Sequence, residues 1–253
     1  MKKKSIARKW NEAYCVDELF ALGGKDLVRE APRVEDIYHI RRRLLDVLNV
    51  QKDGFLLDIG CGSLGSLVVP AAELGLKVFG LDISPVAIKL LERRLLERGL
   101  SAKVLCGDIL EGLPFPDNYF DYVFSIYTVQ HILEIDKFLA EATRVTKSGG
   151  MLYINSFMNK YHPLNIERRI LRKCYEIILH RLWWTPMGTI SRGELTHLYK
   201  KLGLDIIEFG VYNKEAYIPL KGLVPCLLPQ SVIKSLDQHL GIEEAYAIIA
   251  IKR

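Results

Sequence analysis

Three aspartates stand at the ends of three short apolar runs: Asp58 in LLDIG, Asp82 in VFGLD and Asp108 in VLCGD. The first run continues into Gly60-Cys61-Gly62-Ser63-Leu64-Gly65, which satisfies G-x-G-x-x-G, the pattern of a dinucleotide-binding turn. Glycines at such a turn let backbone approach a ligand, and the N–H groups of the helix that follows favour an anionic group. Asp82 comes 22 residues after Gly60, a spacing suited to accepting both hydroxyls of a ribose. Up to this point a nicotinamide dinucleotide and S-adenosylmethionine fit equally. Two residues separate them. A pyrophosphate would be repelled by Asp58, whereas an ammonium group and a sulfonium would be welcome beside it. Asp108, in Gly107-Asp108-Ile109, offers a carboxylate to the exocyclic amine of adenine.

These side chains need elements that bring them to one edge. FLLDI is a buried parallel strand in pattern, and Ser66 to Leu74 reads as a helix stopped by Gly75. KVFGL is a second strand closed by Asp82; Ser84-Pro85 then supplies a helix N-cap with proline at the first helical position. Further strands are expected at 102–106, 122–126, 151–157, 204–209 and 245–251, with a helix over 136–147 ending at Ser148-Gly149-Gly150. Alternation of this kind predicts an α/β fold: a doubly wound, Rossmann-like, mostly parallel sheet of about seven strands. The C-terminal strand has no helix after it and is expected to enter antiparallel. One domain is expected over 1–253. It divides into a helical N-terminal lid (1–50), a cofactor-binding core (51–158) and substrate-side insertions with the last strands (159–253), including a helical addition after the fifth strand. At the carboxyl ends of such strands ligands bind, and Ser125 and Tyr127 belong to the fourth.

Composition narrows the class. The 253 residues are 49% apolar and 26% charged, ordinary for a soluble globular protein, with a net charge of +5. The five cysteines (15, 61, 106, 174 and 226) contain no C-x-x-C pair, which favours free thiols over a disulfide frame or a zinc site, and no metal is expected. MKKKSIARKW is basic but lacks the apolar segment of a signal peptide, and no 18-residue apolar run occurs. A cytoplasmic protein is the expectation.

The words LLDIGCG, VFGLDIS, GDILEGLPFPDNYFDYVFS, QHI and RVTKSGG, in that order, resemble the class I S-adenosylmethionine-dependent methyltransferases, in particular their small-molecule and quinone-biosynthesis branch. The resemblance covers roughly residues 54–156. It departs from the family's G-x-G-x-G in one respect: Leu64 looks like a one-residue insertion before Gly65, and this is what produces the dinucleotide-like string. The resemblance implies S-adenosylmethionine as cofactor, S-adenosylhomocysteine as product, and Asp58, Gly60, Cys61, Gly62, Asp82, Ile83, Gly107, Asp108, Ile109 and Ser125 as cofactor contacts. Tyr127 and His131 are weak candidates for a catalytic role, His131 being better suited to packing. The sulfonium methyl is already activated, so a base is required only for a hydroxyl or carbon acceptor. SIYT stands where methyltransferases of exocyclic amines carry [DN]-P-P-[FYW], and no Pro-Cys pair occupies that position.

Each of these residues also has a plainer reading. Asp82 and Asp108 could be helix N-caps, Cys61 a small filler, and Asp121 a structural residue entering the fourth strand. Leu113, Phe115 and Phe120 read as core and pocket rim. The acceptor must be chosen outside the common core, by residues 1–50, 157–203 and 213–243. From Asn159 to Trp184 there are six basic residues against two acidic ones. Residues 164–184 read first as an amphipathic helix packed on the sheet, and second as a surface for a lipid boundary or an anionic substrate. The resemblance of the core favours a small-molecule acceptor. An RNA (tRNA or rRNA) or protein methyltransferase is the alternative, with nucleic acid a possible partner, and a non-catalytic S-adenosylmethionine-binding module comes third. Peripheral membrane contact stays open, as does the oligomeric state.

Overall fold

The computed structural model describes residues 34–161, 188–211 and 245–253, with Val211 and Ala245 by their backbone alone. The first part of the expected lid, the basic aromatic segment 164–184 and the stretch 213–243 lie outside the described residues. The elements run α1 (Val34–Val47), β1 (Phe55–Ile59), α2 (Val68–Glu73), β2 (Lys77–Asp82), α3 (Pro85–Glu97), β3 (Lys103–Cys106) and β4 (Phe120–Ser125). They continue through α4 (Ile135–Val145), β5 (Thr146–Asn159), β6 (Thr189–Ile190), α5 (Arg192–Lys201), β7 (Leu204–Val211) and β8 (Ala245–Lys252). Short 3-10 turns occupy Ile109–Glu111 and Val129–His131.

The strands form one mixed sheet in the order β3-β2-β1-β4-β5-β8-β7, with the two-residue β6 pairing β5. Pairs β1·β2, β1·β4, β2·β3 and β4·β5 are parallel, and β8 runs antiparallel to both β5 and β7. The chain order reverses across β1 and β4, the switch point at which a ligand crevice opens in sheets of this kind. Helices cover both faces. Tyr38 and Leu45 of α1, Val68 and Val69 of α2, and Leu91 and Leu95 of α3 build one core layer. Phe138 and Leu139 of α4 with Leu195 and Tyr199 of α5 build the other. Burial of these apolar stripes, at about 25 cal/mol per Å² removed from water, is the main force holding the layers to the sheet.

Local structure departs from expectation in three places. Helix α2 starts at Val68 rather than Ser66, because the glycine loop first closes a turn, Gly65 N–H to Gly62 C=O at 3.4 Å. The helix before β5 ends at Val145, and Thr146 already pairs with Phe120. Ser148-Gly149-Gly150 therefore falls inside the strand, as an irregularity, before pairing resumes at Met151 with Tyr122. Leu113, Phe115 and Phe120 are core: the Phe79 ring meets Phe115 and Phe120 edge-on at 5.5 and 5.3 Å. Asp121 is structural, as expected. Its Oδ2 accepts from Phe55 N–H at 2.9 Å and its Oδ1 from Lys147 Nζ at 2.7 Å, tying the starts of β1, β4 and β5.

Candidate cofactor site

At the carboxyl ends of β1 and β2 the chain folds back on itself through hydrogen bonds. Gly60 and Cys61 both donate their N–H to Leu81 C=O, at 2.7 and 3.0 Å. Gly62 N–H donates to Asp82 Oδ2 at 3.0 Å, and Ser84 N–H to Asp82 Oδ1 at 2.9 Å. Three successive amides of the glycine loop are thus satisfied within the protein. A pyrophosphate-binding turn works by the reverse arrangement, with its amides aimed at the ligand. Asp82 is not the cap of the following helix; Ser84 is, accepting from Ala87 N–H at 3.1 Å. The Asp82 carboxylate accepts backbone hydrogen bonds from Gly62, Ser84 and Ile83 and keeps lone-pair capacity for a ribose hydroxyl.

The glycines are needed for space. Gly60 has φ +81°, and a Cβ there would sit 2.0 Å from Thr128 Oγ1, so the loop of β4 packs directly on the loop of β1. Gly65 has φ +54°, and its Cβ would meet Leu91 Cδ1 of α3 at 2.3 Å. Gly65 therefore serves helix packing, whereas Gly60 and Gly62, both at positive φ, shape the turn after β1. Cys61 lies against Gly80 of β2, which is the filler reading. Burial raises its thiol well above the usual range, and Asp58 and Asp82 raise it further, so it is no nucleophile.

Asp58 and Asp82 are both buried, at 3% and 6% exposure. Burial pushes the Asp58 carboxyl up to about 7, with Arg41 pulling it down and Asp82 adding to the rise. Burial also raises Asp82, against backbone hydrogen bonds from Ser84, Gly62 and Ile83 that favour its ionised form. Two buried carboxylates beside a glycine turn would meet a pyrophosphate with like charge and a cationic ligand with opposite charge. These acceptors fit S-adenosylmethionine, and the inward-bonded amides with Asp58 disfavour a pyrophosphate at this turn.

The remaining expected contacts are spread around this pair. Gly107 N–H donates to Asp82 C=O at 2.9 Å, and Cys106 Sγ lies 3.7 Å from Ile83 C=O, which draws the end of β3 to the end of β2. Asp108 caps the short turn that follows, its Oδ1 accepting from Leu110 N–H at 2.9 Å, the plainer of its two readings. Ile109 is a core residue. Ser125 Oγ donates to Ile59 C=O at 3.0 Å, latching β4 to β1 from a fully buried position. Tyr127 adopts φ +60°, rare for a bulky residue, and its N–H is held by Asn155 Oδ1 at 2.9 Å. His131 Nε2 lies 3.0 Å from Gln130 Nε2, and burial lowers its pKa to about 4, leaving the ring neutral at physiological pH. A base that weak suits packing better than proton abstraction.

Four residues of this region escape a reading of the motifs alone: Arg41, Thr128, Tyr153 and Asn155. Asn155 sits beside a bulge in β5, where Ser156 has φ +68° and the register with β8 shifts, so consecutive polar side chains are both buried. Arg41 did leave a signal. Tyr38, Arg41 and Leu45 recur at helical spacing, which puts a cation on the apolar face of α1. That face also meets the glycine loop, since Tyr38 Oη donates to Leu64 C=O at 2.7 Å.

Comparison with known proteins agrees with this geometry. Residues 57–154 match the methyltransferase domain family. The chain is 37% identical over 114 residues to a demethylmenaquinone methyltransferase of Geobacillus stearothermophilus, covering 44% of this chain and 48% of that protein. It is 31% identical over 141 residues to ajmaline N-methyltransferase of Rauvolfia serpentina, covering 53% and 47%. The chain thus spans about half the length of the curated relatives it matches. Among solved structures, magnesium protoporphyrin IX methyltransferase from Synechocystis PCC 6803, with S-adenosylhomocysteine bound, superposes with a TM-score of 0.65 at 15% identity, over 100% of both chains. A geranyl diphosphate methyltransferase in complex with S-adenosylmethionine gives a TM-score of 0.65 at 19% identity, over 85% of each chain. Over residues 57–154 the chain is similar to methyltransferase domains, and its fold is that of these solved methyltransferases.

Proposed function

We propose that the protein is an S-adenosylmethionine-dependent methyltransferase that transfers a methyl group to a small-molecule acceptor. The observation that carries this reading is the glycine loop with its amides satisfied internally and two buried carboxylates beside it. When bound, S-adenosylmethionine supplies an already activated sulfonium methyl. Asp82 would accept the ribose hydroxyls, Asp58 the ammonium group, and Asp108 or the neighbouring backbone the adenine amine. Gly60 and Gly62 would let the backbone approach. Tyr127, fixed in its unusual conformation by Asn155, would wall the acceptor side. The chain's work is then mainly to hold a nucleophile in line at roughly 3–3.5 Å and to exclude water, which can account for several kcal/mol of rate.

A small-molecule acceptor is supported by relatives named for quinone, alkaloid and sterol methylation. RNA or protein acceptors would be favoured by the basic N-terminus MKKKSIARK and the basic stretch 159–184, of which residues 1–33 and 162–187 lie outside the described residues. No helix among the described residues is long and apolar enough to cross a membrane. Cys61 and Cys106 are free thiols, in keeping with a reducing compartment such as the cytoplasm. Calorimetric titration of the wild type and Asp82→Ala tests the cofactor assignment. Loss of hydrogen bonds to a charged acceptor should weaken S-adenosylhomocysteine binding by about 1–3 kcal/mol. Equal affinity in the variant, or tighter binding of NAD than of S-adenosylhomocysteine by the wild type, would refute it.

A further inference from the structure

Arg41 projects from the buried face of α1, between Tyr38 and Leu45, which are 4% and 1% exposed. Its guanidinium carbon lies 5.6 Å from the centre of the Tyr127 ring, at the carboxyl end of β4. Its Nε is buried and has no hydrogen-bond partner among the described residues. A ring face attracts the charge but accepts none of the five guanidinium N–H groups in their fixed fork. Arginine with an unfilled buried donor is an arrangement that a planar bidentate acceptor completes. The charge of Arg41 is also felt at Asp58 and at Tyr153, whose hydroxyl is hydrogen-bonded to Asn155. Cation and buried carboxylate thus stand at the same end of the sheet, on the side where α1 meets the glycine loop.

We propose that Arg41 is an anion-binding residue of this site and that its ligand is a carboxylate. The inference rests on the methyltransferase reading and deepens it. Two molecules could bring the carboxylate: the amino-acid end of the cofactor, whose ammonium would face Asp58, or an acidic acceptor lying against the Tyr127 ring. The juxtaposition of Arg41 with Asp58 favours the cofactor, because a zwitterion needs both signs in one place.

Calorimetry on the full chain separates the sources, with wild type, Arg41→Gln and Arg41→Lys titrated with S-adenosylhomocysteine and with 5′-methylthioadenosine. The second ligand keeps the nucleoside and thioether but has no amino-acid group. The expected result is a loss of roughly tenfold or more in S-adenosylhomocysteine affinity in Arg41→Gln, a partial recovery in Arg41→Lys, and unchanged affinity for 5′-methylthioadenosine, for a charge-assisted hydrogen bond removed. An acidic acceptor would give a different support: both nucleosides bind Arg41→Gln as they bind the wild type, while benzoate binds the S-adenosylhomocysteine complex of the wild type and not that of the variant. Equal weakening of both nucleosides, or no change with any of the three ligands, overturns the proposal and leaves Arg41 a packing residue. A wild type that binds no S-adenosylhomocysteine overturns the cofactor assignment itself, and this proposal with it.

Discussion

The ends of β1 and β2 and the ends of β4 and β5 lie side by side in one sheet, yet they are built by different means. At β1 and β2 the constraints are short-range in the fold: amides of residues 60–62 close on Leu81 and Asp82 of the adjacent strand. Charge there is anionic, buried and organised by backbone. At β4 and β5 the constraints are side chains reaching across the sequence. Asn155 holds Tyr127, 28 residues away, and Arg41 reaches over the same ring from α1. Two non-glycine residues there, Tyr127 and Ser156, have positive φ. Strained backbone held by surrounding contacts is commonly found where a ligand is positioned. On the proposed function the first region would hold the cofactor and the Tyr127 wall would face the acceptor, with Arg41 reaching from that wall back towards Asp58 and the cofactor.

The sharpest break of the cradle is Gly60→Ala. Positive φ and a Cβ 2.0 Å from Thr128 Oγ1 combine to a destabilisation of roughly 3–5 kcal/mol, read from urea unfolding. Adding Thr128→Ala removes the Oγ1 and Cγ2 contacts but leaves Cβ at 2.7 Å, so it should recover only part of the steric cost and none of the backbone cost, and the double variant measures how far the two loops depend on each other. Additivity of the two changes would show that they do not.

Asp58→Asn comes next and should stabilise the empty protein. The folded pKa of about 7 lies above the ordinary 3.8, so between about pH 4 and 7 the unfolded chain releases a proton that the folded chain keeps. Stability therefore falls as pH rises through that window, by on the order of 2–4 kcal/mol, and stays low above it. The asparagine variant lacks this loss. Its melting temperature should exceed the wild type's at pH 8 and converge with it near pH 4. In the same samples S-adenosylhomocysteine affinity should rise with pH through about 7 in the wild type only. Parallel pH profiles for both proteins would remove Asp58 from the site.

On the other side of the comparison, Asn155→Ala frees the Tyr127 amide and should cost about 1–3 kcal/mol in stability. Cofactor affinity should be preserved while methyl transfer falls, since only the acceptor wall is loosened. A variant that loses cofactor affinity instead would merge the two regions into one.

This division also decides what was legible beforehand. The sheet, its antiparallel last strand and the acids at three strand ends followed from apolar runs, glycines and Ser84-Pro85, all of them local signals. A helical addition after β5 is expected without bounds, and Ser191 and Glu194, which form a capping box with each side chain bonding the other's backbone amide, mark where α5 begins. Gly149 and Gly150 read as a helix stop because nothing local reveals a strand that begins before its own bulge. The roles of Asn155 and Thr128 depend on which loops face each other, and single residues carry no mark of that. Arg41 was the exception, a charge on an apolar helical face whose partner lay in another element.

On the proposed function the ends of β1 and β2 hold S-adenosylmethionine by its ribose and amino-acid parts. A crystal structure of the full chain with S-adenosylhomocysteine tests it most directly. The expected complex has both ribose hydroxyls on the Asp82 carboxylate, the amino-acid end near Asp58 and Arg41, and the Gly60 and Cys61 amides still bonded to Leu81. A ligand whose ribose avoids Asp82, or glycine-loop amides turned outward to meet it, would contradict it.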